Sequence, residues 1–148
     1  MATGKPDWKT LREQARPRTK RVRLCLDGEL LAQLAEAEAA DITSLSGNPE
    51  AAKLREQVDA ASVTFTLKGL PRGEYRRLEK AHPSADDDGA WNTDTFPEAL
   101  VRACLVEPGV SADEPLFDVL TSGEADKLFE VAFLACNEAD AVPLQKRG

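Results

Sequence analysis

Asp86, Asp87 and Asp88, followed by Gly89, are the densest set of potential metal ligands in the chain, and carboxylates beside a flexible turn are what a hard cation such as calcium takes. The spacing works against that chemistry. An alternating D-x-D-x-D-G set closed by a glutamate at the twelfth position is missing, so a solvated acidic loop is the expectation. The single histidine, His82, lies between Ala81 and Pro83 with no second histidine near it, and is expected to serve the last carbonyls of a helix. Cys25, Cys104 and Cys136 are odd in number, widely spaced and outside any C-x-x-C pair. Cys104 sits among Leu100, Val101 and Leu105, and Cys136 among Phe133, Leu134 and Ala135; reduced thiols acting as small hydrophobes are expected. No G-x-S-x-G, phosphate-cradling glycine loop or H-E-x-x-H occurs, and a nucleophile dyad could be built only around His82. The expectation is a chain that is not an enzyme and takes no metal and no cofactor. Trp91 and Asn92 remain, because an exposed loop seldom needs a tryptophan. Trp91 either folds back as a lid on the core or forms a contact surface.

The elements that must position these residues can be read from periodicity. Val63, Phe65 and Leu67 alternate with Thr64 and Thr66, and Val22, Leu24 and Leu26 alternate with Arg21 and Arg23, giving half-buried strands over 21–26 and 63–67. Between them lie two helical stretches within 29–60. Asp27 can cap the first, with Leu30, Leu31, Leu34 and Ala37 on one stripe; Ser44 to Pro49 breaks it, and Pro49 opens the second, with Leu54, Val58 and Ala61 as the matching stripe. This predicts a helical hairpin that projects from the domain, inserted between strands that pair antiparallel, with a parallel crossover as the alternative.

Downstream, Tyr75 and Leu78 mark a short helix ended by Pro83. Thr95-Phe-Pro-Glu98 has the spacing of a capping box before a helix to Leu105. Ser111 to Leu120 reads as another short helix, and Thr121-Ser-Gly-Glu124 caps a last helix that is apolar around more than half its circumference. Val142 and Leu144 could add a short edge strand. The predicted fold is α+β and mostly helical: a small two-stranded antiparallel sheet, an inserted helical hairpin and a C-terminal helical bundle. Its domain plan is a flexible basic arm over 1–19, with at most one turn around Trp8 and Leu11, a single domain over 20–140 and a tail over 141–148.

Composition bounds what such a domain can do. At 148 residues, 42% hydrophobic and 30% charged, the chain is about one globular domain, and no apolar run approaches a membrane span. The N-terminus lacks the apolar core of a signal peptide, so a soluble, cytoplasmic protein is expected. The net charge of -7 conceals a split: residues 1–23 hold eight Lys or Arg against two acids, and the remainder 11 against 24. Such an arm could meet nucleic acid, an acidic partner or the acidic body itself; solvated disorder until a partner arrives is favoured over nucleic-acid binding.

The ordered motifs resemble the tail assembly chaperones of long-tailed, siphovirus-type bacteriophages of actinobacteria. The resemblance runs through Arg21-Val-Arg-Leu-Cys-Leu-Asp-Gly-Glu-Leu-Leu31, Gly69-Leu-Pro-Arg72, Tyr75 to Pro83, Asn92 to Phe96, Cys104 to Pro108 and Leu120 to Glu124, with Asn137 after it. It spans roughly residues 20–140, in order and spacing more than in any one motif. It implies a non-catalytic protein of the infected host cytoplasm, or one made from a prophage, that binds the tape measure protein, helps tail tube protein assemble around it and leaves before the virion is complete. It also implies a longer frameshifted form as a possible partner, beside possible homo-oligomers. The residues able to hold an amphipathic client are Leu34, Leu54 and Val58 on the hairpin, Phe129 and Phe133 on the last helix, and Trp91, Asn92 and Phe96 around the loop. Two rivals stand beside this reading: a head-to-tail connector or tail terminator subunit retained in the particle, and a nucleic-acid-binding regulator using the basic arm.

Overall fold

The computed structural model describes residue 5 and residues 7–41, 48–86 and 88–144. Strands β1 (Thr19–Cys25) and β2 (Ser62–Lys68) pair antiparallel, with Val22 opposite Phe65 and Leu24 opposite Val63. Residues opposite each other project to the same side, so Val22, Leu24, Phe65 and Leu67 share one face while Arg21, Arg23 and Thr64 share the other. The antiparallel pairing expected across the inserted hairpin is the one found, and the parallel crossover is not. A mostly helical α/β chain with a small antiparallel sheet is what the structure shows.

The sheet has three strands, not two. β3 (Leu105–Glu107) lies on the far side of β2, giving the order β1-β2-β3, with Leu67 opposite Leu105 and a register irregularity between Thr66 and Leu67. Its brevity explains why alternation did not reveal it. Three residues carry no period, and they follow the helix ending at Cys104 with no glycine or proline between. Thr66, in the central strand between Arg21 and Glu107, is buried although it lies on the arginine face.

The hairpin forms, but Leu31 and Ala61 of the expected stripes are exposed, and Ala51, outside them, is buried in the seam beside Leu54. Helix α2 (Gly28–Asp41) starts where the Leu30 amide donates to the Asp27 carboxylate at 3.0 Å. Helix α3 (Pro49–Ala61) starts at Asn48, whose side-chain oxygen accepts from the amides of Glu50 and Ala51 while its amide group donates to the Ala37 carbonyl of α2. One side chain thus caps α3 and ties it to α2. The predicted break over Ser44–Pro49 lies mostly outside the described residues.

The C-terminal helices close the apolar face of the sheet. Helix α4 (Arg72–Ala81) packs on α5 (Phe96–Cys104), and α5 packs on α6 (Ser122–Asn137), which also lies against β1 and β2. Contact with both the sheet and α5 is what the broad apolar circumference of α6 provides for. Phe65, Leu67, Phe96, Leu100, Val101 and Leu128 are the heart of the core, each burial contributing about 2 kcal/mol. The capping box at Thr121 is formed: the Glu124 amide donates to the Thr121 hydroxyl at 3.1 Å, and the Thr121 amide to the Glu124 carboxylate at 2.9 Å.

Three local expectations are corrected. Residues 8–14, placed in a flexible arm, form a two-turn helix, α1 (Trp8–Gln14), because the Asp7 carboxylate accepts from the Thr10 amide at 2.8 Å. That bond holds the Asp7 carboxyl below its usual range. The helix expected from Ser111 is shorter, a 3₁₀ turn over Leu116–Val119 that puts Leu116 into the core. Val142 and Leu144 are exposed and form no strand.

Candidate protein-interaction site

Four surfaces were legible as contact candidates: the Trp91 loop, the apolar side of α6, the hairpin and the basic segment. The structure gives each a different standing.

Trp91 folds onto the core. Its ring stacks on Phe96 at 4.8 Å between centroids and meets Phe129 at 6.1 Å and Phe133 at 5.9 Å. Phe96 also meets Tyr75 edge-on at 5.9 Å. Aromatic pairs of this kind add about 1 kcal/mol each beyond the area they bury. Phe96 is fully buried and presents no surface to a client, whereas Trp91, Phe129 and Phe133 are half-buried and keep an outer edge. The lid alternative is thus the arrangement found. Burial pushes the Tyr75 phenol up, with the Asn137 side chain beside it opposing the shift.

Asn92 caps the turn before α5. Its side-chain oxygen accepts from the amides of Asp94 at 2.8 Å and Thr95 at 3.2 Å, and its own amide donates to the His82 carbonyl at 2.8 Å. The predicted Thr95–Glu98 box is not made. Thr95 instead meets His82 Nδ1 through its hydroxyl at 2.9 Å, and Glu98 pairs with Arg102 at 3.2 Å. Proline at 97 leaves one amide fewer to cap at this helix start, and a three-residue step back to Asn92 satisfies two others. His82 is thus the C-cap of α4 and a brace for the loop. Asn92→Ala should lower stability by about 1 kcal/mol, measured by urea unfolding, while leaving the unfolding slope unchanged.

The acidic loop borders an open depression of about 820 Å³ shared by Asp86, Asp88, Trp91 and Asp94. Asp87 lies outside the described residues. Among the described residues, no three His, Cys, Asp or Glu side chains converge as a metal ion needs.

The basic segment spends charge on the body. Arg18 Nη1 meets Asp140 at 2.8 Å, Lys20 Nζ meets Glu138 at 3.0 Å and Arg23 Nη1 meets Asp59 at 2.8 Å. Each pair is solvent-accessible and worth less than about 1 kcal/mol, but together they lay β1 along the end of α6 and the end of α3. Of the three partners weighed for the basic segment, the acidic body itself is engaged by these side chains.

The hairpin is the element least absorbed into the core. α2 packs chiefly on α3, and the main further contact of α3 is with β1. Ala51 and Leu54 close the seam, so Leu54 has little surface left, while Leu34 and Val58 are half-buried and Leu26 and Leu31 are 39% and 38% exposed. A groove of about 480 Å³ runs along α3, lined by Pro49, Glu50, Lys53, Leu54 and Gln57.

No known protein family, curated protein or solved structure matches this chain. What it offers a partner is set by its own surface. Residue patterns missed two features of that surface and its support: the close approach of Gly69 to α6, and the meeting of Cys104 with Cys136. Each cysteine falls on the inner stripe of its helix, which is a visible signal, but the pairing of those stripes across α5 and α6 is not written in either one.

Proposed function

We propose that this chain is a non-catalytic binding protein that serves as a tail assembly chaperone of a long-tailed bacteriophage, holding an amphipathic helical segment of the tape measure protein while tail tube protein is added. The observation that carries the reading is the hairpin: two helices inserted between paired strands, packed chiefly on each other, with a groove along α3. A helical client binds by laying apolar residues at helical spacing against the surface that Leu31, Leu34 and Val58 keep on the hairpin, while charged side chains beside it, Glu50 and Lys53 of the α3 groove among them, set register and keep exchange fast. Among the described residues no helix is long and apolar enough to cross a membrane. Of the basic side chains, Arg18, Lys20 and Arg23 are paired with carboxylates of the body, which leaves fewer cations for the phosphates that the nucleic-acid reading requires.

Co-expression with an affinity-tagged tape measure protein tests the reading. Co-elution of this chain with the tagged client is expected, together with its absence from purified virions by mass spectrometry. Failure to co-elute contradicts client binding, and stoichiometric presence in virions transfers the chain to the connector or terminator class.

A further inference from the structure

Cys104 and Cys136 belong to different helices, yet their sulfurs lie 3.6 Å apart. Both are free thiols. A disulfide needs about 2.05 Å between sulfurs, so closure by roughly 1.5 Å would join them. Their surroundings differ in the way a reactive pair requires. Cys104 is 2% exposed and sealed behind α5. Cys136 is half-buried and lines a cavity of about 420 Å³ that it shares with Arg72, Tyr75, Arg76, Phe133 and Asn137. The two arginines bring positive charge to that cavity, partly offset by Glu79, which pairs with Arg76 at 3.7 Å. The Leu70 amide donates to the Cys136 sulfur at 3.3 Å, a bond that strengthens when the sulfur carries negative charge.

We propose that Cys136 and Cys104 form an oxidisable dithiol, with Cys136 the nucleophile that meets a small peroxide through this cavity and Cys104 the resolving thiol behind it. The electrostatics run the same way. The hydrogen bond from the Cys104 thiol lowers the Cys136 pKa, burial opposes this, and the Leu70 amide lowers it further; the pairing and burial push Cys104 up. In the first step the Cys136 thiolate attacks one oxygen of hydrogen peroxide. An S–O bond forms, the O–O bond breaks, and hydroxide departs to be protonated as water; the sulfur loses two electrons and the peroxide gains them. In the second step the Cys104 sulfur attacks the Cys136 sulfur. The S–S bond forms, the S–O bond breaks, and hydroxide leaves with the Cys104 proton as a second water. A dithiol reductant reverses the bridge by exchange. The product staples α5 to α6 at the point where the Gly69-Leu70 turn rests on α6, which makes the sheet-to-helix contact a modification site.

The test uses the full chain and hydrogen peroxide. After brief treatment, free thiols are alkylated and the protein is cut with trypsin, which separates the two cysteines after Lys127. A cross-linked peptide pair carrying Cys104 and Cys136, two hydrogens lighter than the sum and released by dithiothreitol, is expected, with Cys25 recovered alkylated. Cys25→Ser should leave the cross-link intact. Cys104→Ser should replace it with a sulfenic acid on Cys136 that dimedone traps. Recovery of both Cys104 and Cys136 as separately alkylated peptides from treated wild-type protein would overturn the proposal, as would a bridge that involves Cys25. The readout is on the wild-type chain, so misfolding of a variant cannot stand in for either result.

Discussion

Gly69→Ala is expected to destabilise the protein by about 3 kcal/mol, the upper end of what forcing an extra methyl into a packed interior does. A β-carbon at this position would sit 2.1 Å from the Ala135 carbonyl oxygen and 2.7 Å from its carbonyl carbon. Both atoms are backbone, in the last turn of α6, and have no rotamer by which to withdraw. The other side is equally fixed, because the Gly69 amide donates to the Arg18 carbonyl at 2.7 Å and holds the end of β2 to β1. The added methyl can be accommodated only by prising α6 from the sheet, where Leu67 and Leu128 are fully buried. Urea unfolding should show a lower midpoint with the slope retained. Gly73→Ala is the control: open space surrounds that position in the first turn of α4, and alanine there should leave stability unchanged or raise it by less than about 0.5 kcal/mol. Equal stability of the two variants would mean that the strand end and α6 do not meet as described.

Where local patterns decide structure, the sequence was readable. The alternation of Val22 and Leu24 with the arginines, and of Phe65 and Leu67 with the threonines, specified two strands and their inner faces, but Leu26 and Val63, expected on those faces, are 39% and 38% exposed at the sheet end where the hairpin leaves. The Asp27 and Thr121 caps, and Pro49 at the start of α3, marked helix starts that the structure shows. Failures came where a long-range partner decides. β3 is three residues long and exists because β2 offers a free edge. Thr95 stands at the N-cap of α5 without a side-chain bond to it because the His82 ring takes its hydroxyl, while Asn92, its amide anchored on the His82 carbonyl, caps the turn before. α1 turns on a single Asp7 bond, too slight a signal beside Arg16-Pro17 and the high local charge.

Among the candidate contact residues the same division holds. Trp91 was legible as unusual in a loop, but its stacking on Phe96 joins residues five apart to Phe129 and Phe133 on a helix more than thirty residues later. Phe96, expected with Trp91 and Asn92 to hold a client around the loop, is instead the buried ring on which that cluster is built. Leu54 closes the hairpin seam with Ala51 rather than facing outward. Leu34 and Val58 keep part of their surface, and the groove along α3 belongs to the fold of the hairpin itself.

The second large effect concerns binding. Cys25 and Ser62 are cross-strand partners at the sheet end from which the hairpin leaves, so a two-residue Asn-Gly turn can join β1 directly to β2 once residues 26–61 are removed. The C-terminal core does not depend on the hairpin. Ala51 and Leu54 bury against its other helix, and the Arg23–Asp59 pair, exposed on both sides, is worth less than about 1 kcal/mol. The shortened chain should therefore unfold cooperatively, with β1, β2 and the α4–α6 layer retained.

Its affinity for the client is the deciding quantity. In a calorimetric titration with an amphipathic segment of the tape measure protein, the intact chain is predicted to bind and the hairpin-less chain to bind at least about 100-fold more weakly, a loss of roughly 2.7 kcal/mol. Equal affinity of a folded hairpin-less chain would contradict the claim that the hairpin is the client-holding element, and no binding by the intact chain would contradict the chaperone reading itself.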